Sequence, residues 1–200
     1  MIGLVEPAGG VPRYQLKITL KYSRPAIWRR IVVPANFKLD RLHDVIQCVM
    51  PWTNSHMHHF MVGAPYGRDC TFYGQPSPEY ADMGSEELNE MRYTLADIAP
   101  GAKSKFTYEY DFGDGWEHQI VVEKVLPPDD GFKNVICLAG KNACPPDDCG
   151  GIPGYYNMLE IITDPKHSDH KNMKEWLGGE WDLDRFDLDD TNAALKQFKV

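Results

Sequence analysis

Between residues 106 and 126 the chain alternates, turns and alternates again. Phe106, Tyr108, Tyr110 and Phe112 share one face, with Thr107, Glu109 and Asp111 on the other. A period of two places successive side chains on opposite sides of a strand. Asp114-Gly115 follows, a dipeptide suited to the positive φ of a tight hairpin turn. Gln119 to Leu126 then returns as an apolar, β-branched run, closed by Pro127-Pro128-Asp129-Asp130-Gly131. Such a segment commits the chain to an antiparallel sheet.

The N-terminal part repeats the theme. Tyr14, Leu16, Ile18, Leu20 and Tyr22 alternate with Gln15, Lys17, Thr19 and Lys21. Ser23-Arg24-Pro25 turns the chain, and Ala26 to Val33 returns until Pro34 ends the ladder. Leu39, Leu42, Ile46, Val49 and Met50 then recur at helical spacing and predict an amphipathic helix that stops at Pro51. His56 to Val62 reads as a short strand. Residues 63–92 are irregular, with Cys70 to Tyr73 as a short strand inside them and an acidic end at Glu86, Glu87 and Glu90. Val135 to Leu138 reads as an edge strand.

The last third reads as helical. Pro153 at a first helical position leads Tyr155, Met158, Leu159 and Ile162. Ser168 caps a helix ended by Gly178-Gly179, and Asp187 caps a final one. The expected fold class is therefore α+β, with a mixed, mostly antiparallel sheet, one early helix and a helical C-terminal third. The strand, strand, helix, strand order followed by a hairpin fits a β-grasp-like core. Residues 1–12 read as a flexible tail and 13–200 as one domain.

Two hundred residues with 42% hydrophobic content can bury a proper core. The net charge of -8 argues against nucleic acid as a partner, because counterion release needs a cationic surface. Trp28-Arg29-Arg30 is too small a basic patch to reverse that. No apolar run approaches the roughly 18 residues that cross a bilayer, so no membrane partner is expected. The five cysteines form no CxxC pair. With no export signal at the start, reduced thiols and a cytoplasmic location are expected.

Three stretches could carry chemistry. Tyr110 to His118 packs Asp111, Asp114, Glu117 and His118 into nine residues. With Asp114-Gly115 as a two-residue turn, Asp111 opposes His118 and would orient its imidazole. With Gly113-Asp114-Gly115 as a three-residue loop, His118 opposes Tyr110 instead. A plain hairpin is the simpler reading of the motif alone. In His56-Met57-His58-His59, His56 and His58 share a strand face and could hold a metal, given a third ligand such as His118, Asp111, Asp114 or a cysteine. Histidines facing solvent are the plainer alternative. Cys137, Cys144 and Cys149 follow a C-x6-C-x4-C spacing that lacks zinc knuckles. Gly150-Gly151-Ile152-Pro153-Gly154 opens a helix and reads as a stiff entry rather than a phosphate loop, since Asp147 and Asp148 stand beside it.

Several phrases together resemble a known family. They are Leu42-His43-Asp44-Val45-Ile46-Gln47, Trp52 with His56-Met57-His58-His59-Phe60, Tyr110 to Asp114 with Trp116-Glu117-His118, and Ala143-Cys144-Pro145-Pro146-Asp147-Asp148-Cys149-Gly150-Gly151 with Gly154-Tyr155. Ile27-Trp28-Arg29-Arg30 and Trp176-Leu177-Gly178 fit as well. The chain is similar to the Ri-plasmid ORF-three-like domain family from about Tyr14 to Phe198. The resemblance implies an α+β domain without an established activity. Some relatives lie in insertion elements and are labelled resolvase-like; others are fused to unrelated domains. The chain has Pro51 where the family usually has glycine and Asp147 where it usually has glutamate, and relatives often have valine for Cys149. His56, His58, Asp111, Asp114, His118, Cys144 and Asp148 fall on the family's recurring polar positions, which implies that they line one cleft.

Three functions follow as expectations. The preferred one is a binding or interaction module whose polar cleft holds a small ligand, a peptide or a protein. The second is a metal-dependent, hydrolase-like enzyme, with His56, His58 and His118 on a divalent ion such as zinc and an aspartate as base. The third, resting on family context alone, is a mobile-element-associated DNA-processing protein.

Overall fold

The computed structural model describes residues 10–75 and 87–200. Most of the expected tail, and the part of the irregular stretch from Pro76 to Glu86, lie outside the described residues.

Arg13–Leu20 (β1) and Trp28–Pro34 (β2) pair antiparallel, Tyr14 opposite Val33 and Thr19 opposite Trp28. Leu39–Val49 (α1) follows. Leu39, Leu42, Val45, Ile46 and Val49 form its buried stripe. The next strands are His58–Val62 (β3), Thr71–Gly74 (β4) and the two-residue Leu88–Asn89 (β5). A 3-10 turn at Glu90–Arg92 and a short helix, Leu95–Ile98 (α2), lead into the hairpin of Lys105–Tyr110 (β6) and Trp116–Leu126 (β7). Ile136–Lys141 (β8) completes the sheet. Gly151–Thr163 (α3), His170–Trp176 (α4) and Leu188–Leu195 (α5) finish the chain.

All eight strands join one sheet in the order β5-β4-β3-β6-β7-β1-β2-β8. Every pair is antiparallel except β4 with β5. The expected mixed, mostly antiparallel sheet is present, and β8 lies at an edge. The β-grasp-like centre is corrected. The β6–β7 hairpin inserts between β1 and β3, and β7 runs antiparallel to β1, whereas a β-grasp keeps its central pair parallel.

Alternation does the burying. Leu16, Ile18, Leu20, Ile31, Tyr108, Tyr110, Trp116, Ile120 and Val122 point to one face and pack with the α1 stripe. Each such side chain, fully removed from water, contributes about 1.5–3 kcal/mol. The opposite face carries Lys17, Lys21, Arg30, Glu117 and Glu123, with Lys21 paired to Glu117 and Arg30 to Glu123.

Caps account for the smaller differences. Pro153 is the third residue of α3, which starts at Gly151. Asp169, not Ser168, precedes α4. Asp187 caps α5 as expected, accepting from Asp190 N–H. Sequence reading missed α2, although Thr94 and Asp97 form a capping box at its start. Among the described residues, no helix is long and apolar enough to cross a membrane.

Candidate functional site

Three segments meet at one end of the sheet: residues 52–57 before β3, the loop 111–115 between β6 and β7, and the 143–151 connection into α3. Trp52 is the floor. Its indole stacks on Tyr110 with ring centroids 5.1 Å apart, and its Nε1–H donates to the Pro145 carbonyl at 2.9 Å. Ser55 N–H donates to the Tyr110 hydroxyl, and Asp111 N–H donates to the Met57 carbonyl. Asp147 accepts from both the N–H and the hydroxyl of Thr53. Asp114 Oδ2 accepts from Gly150 N–H at 3.1 Å. The two loops touch so closely that a Cβ on Gly151 would lie 2.3 Å from the Asp114 carbonyl oxygen.

The hairpin register settles the first pair. Tyr110 stands opposite Trp116, Glu109 opposite Glu117 and Tyr108 opposite His118. The loop therefore spans Asp111 to Gly115, longer than either turn considered. The Asp111–His118 dyad does not form. Asp111 adopts a left-handed conformation (φ 57°). Its Oδ1 accepts from Gly113 N–H and Asp114 N–H, an Asx-type turn that closes the loop.

The other carboxylate oxygen is thereby released. Asp111 Oδ2 lies 3.7 Å from His56 Nε2, and Asp148 Oδ1 lies 3.0 Å from the same nitrogen. His56, Asp111 and Asp148 each bring one ligand atom within 4.8 Å of the others. The side chains are 30%, 10% and 69% exposed, while the His56 Nε2 atom itself is buried. One imidazole and two carboxylates match the donors that take borderline divalent ions such as zinc or manganese.

Residues 12–190 match the description of the plasmid pRiA4b ORF-3-like protein. The chain belongs to that family. The uncharacterized protein y4hQ of Sinorhizobium fredii (strain NBRC 101917 / NGR234) is 42% identical over 164 residues, which are 82% of this chain and 80% of that protein. The crystal structure of a protein of unknown function, MM3350 from Methanosarcina mazei Go1, is similar with a TM-score of 0.77 and 34% identity, covering 90% of this chain and 98% of that one.

This member of the pRiA4b ORF-3-like family distributes the remaining predicted site residues elsewhere. The metal set of His56, His58 and His118 does not converge. His118 is completely buried at the edge of the Trp52 ring. Burial pulls its pKa down to about 3, and neither ring nitrogen makes a well-formed hydrogen bond. It is a core group, because its position opposite Tyr108 turns it inward. Cys144 is buried with its thiol toward Met50 Sδ, 3.8 Å away, and burial pushes its pKa well up. It takes no part in the His56 group. Asp114 supports the loop junction through Gly150.

His58 joins a buried cluster that sequence reading missed. It stacks on His43 with centroids 3.4 Å apart, and its Nε2 lies 2.9 Å from Glu90 Oε2. The His43 ring closes a circuit of hydrogen bonds. Asn54 N–H donates to Gln47 Oε1, Gln47 donates to the Tyr108 hydroxyl, that hydroxyl meets His43 Nδ1, and His43 Nε2 meets Asn54 Oδ1. The circuit closes when His43 is neutral with its proton on Nε2. Burial holds His43 and His58 down at about 4 and lifts Glu90 to about 7. The i, i+4 spacing of His43 and Gln47 on α1 was the only available signal.

His59 points to the opposite face of β3. It sits between Glu87 and Glu109, 3.0 Å from each, and the Tyr66 hydroxyl also donates to Glu109. Burial opposes the charge on His59, but its hydrogen bonds to both carboxylates prevail and its pKa is raised. The group clasps the 63–75 and 87–92 segments onto the sheet.

Proposed function

We propose that the domain, residues 13–200, is a binding module that holds a divalent cation at His56, Asp111 and Asp148. The convergence of these three side chains from three separate segments carries the reading. The site is pre-organised, because the Asp111 turn, the Thr53–Asp147 pair and the Gly150–Asp114 contact hold its walls in place. Asp114 and Asp147 stand nearby and add to the negative potential. Three protein ligands leave coordination positions open, through which the bound ion would engage a donor group on a small ligand or protein.

The same open positions favour metal-assisted hydrolysis as a second reading, since a bound water could be activated there. The first reading is preferred, because the nearby carboxylates of Asp114 and Asp147 are engaged in holding Gly150 and Thr53. Calorimetric titration of untagged, chelator-treated protein with zinc and manganese tests both. One equivalent bound, lost in His56→Ala, supports the cation site. Turnover of activated esters or phosphate esters by the loaded protein would favour the enzyme. Unchanged titrations in His56→Ala would remove both readings.

A further inference from the structure

A second concavity lies on the other side of the Pro145–Asp148 turn, between the end of α1, the 143–147 connection and the segment from Glu180 to Ala194. It is an open cleft with a volume of about 630 Å³, within the range of small-molecule sites. Trp181 and Phe186 supply aromatic wall. Arg29 lies in the floor and is only 2% exposed. Its guanidinium donates to the main-chain carbonyls of Val49, Trp28 and Lys141 and sits 4.4 Å from the Phe186 ring centroid. No carboxylate forms an ion pair with it among the described residues, which is unusual for a buried cation. The rim has the opposite character, with carboxylates, Asp147 and Asp190 among them, outnumbering Arg29 and Arg185. Two of the lining residues, Asp147 and Trp181, each carry a buried polar atom without a hydrogen-bond partner, Oδ1 and Nε1 respectively. Buried polar groups of that kind call for a partner.

We infer that this cleft binds a small zwitterion, an α-amino acid or short peptide with an apolar side chain. A simple anion would be repelled by the rim. A simple cation would leave the Arg29 charge without a counter-ion. A molecule with both charges answers both, its carboxylate toward Arg29 and Trp181 Nε1, its ammonium toward Asp147 and Asp190, and its apolar part against Trp181 and Phe186.

Calorimetry with L-phenylalanine and alanylphenylalanine, set against phenethylamine and N-acetylphenylalanine, tests this at up to about 10 mM ligand, a range that detects millimolar affinity. Saturable binding of the zwitterions, with at least tenfold weaker binding of both single-charge analogues, is expected. Trp181→Phe keeps the wall and removes the donor, and Asp190→Asn removes a rim charge. Each is expected to weaken zwitterion binding several-fold in a protein with wild-type circular dichroism. Arg29→Met is the stronger test of the floor where that variant folds. No saturable binding, or equal binding of phenethylamine, would overturn the inference.

Discussion

Asp111 divides its carboxylate between two tasks: Oδ1 closes its own loop onto Gly113 N–H, while Oδ2 faces His56 Nε2 at 3.7 Å. One residue thus shapes the loop and supplies a ligand atom. Asp111→Asn separates the tasks, because asparagine tolerates the left-handed backbone and keeps an oxygen for the turn. Its stability is expected to stay within about 1 kcal/mol of wild type. Its affinity for zinc or manganese is expected to fall on the order of 10–100-fold, measured by calorimetry beside a thermal melt.

Gly151 tests the junction between the loops. It has φ +66° and meets the Asp114 carbonyl, whereas Gly115 has the same φ with nothing within 4 Å of the Cβ position. Gly115→Ala is expected to cost about 1 kcal/mol, the price of a left-handed alanine. Gly151→Ala must also part the loops and is expected to cost more than about 2 kcal/mol. Urea denaturation of the two variants, with cation affinity measured in parallel, gives the comparison. Equal losses would mean that the loops do not bear on each other.

His118 gives a pH signature. Burial depresses its folded pKa to about 3, so the unfolded chain, with an imidazole near 6.5, binds more protons in that interval. Stability is unaffected by this group above pH 6.5 and is lost as pH falls toward about 3. His118→Leu removes the penalty. It is expected to be at least as stable as wild type at pH 7.5, and its advantage should grow by about 2–3 kcal/mol at pH 4.5. Parallel pH profiles for the two proteins would argue against a buried neutral imidazole.

Tyr108 links Gln47 to His43 through one hydroxyl. Tyr108→Phe leaves Gln47 Nε2 and His43 Nδ1 without that partner in a buried setting. A loss of about 1–3 kcal/mol is expected, with no change in cation affinity, since the circuit does not include His56, Asp111 or Asp148. A weakened cation site in this variant would show that the two clusters are coupled.

Much of the sheet was legible because burial imposes a period of two on most of β1 and β7, and apolar side chains alternate with polar ones along β6. The helix α1 was equally plain, as its five buried apolar positions follow the helical repeat. Register was the weak point. Asp114-Gly115 reads as a two-residue turn, but the Asp111 side chain builds a five-residue loop. That one difference moved His118 into the core and Asp111 toward His56. His56 itself lies before β3, outside the strand whose alternation had paired it with His58. Asp148 was legible only through its place in the Cys144–Gly151 phrase, since nothing local brings it to His56. Glu90 and Glu87 meet their histidines, and Tyr66 meets Glu109, across long separations, and local pattern carries no trace of that.

The most direct measurement of the central claim is anomalous diffraction from crystals grown with zinc or manganese, collected on both sides of the metal absorption edge. The account predicts a peak bounded by His56 Nε2, Asp111 Oδ2 and Asp148 Oδ1, absent from His56→Ala crystals. A fully loaded peak anywhere else, or an unchanged peak in the variant, would contradict it.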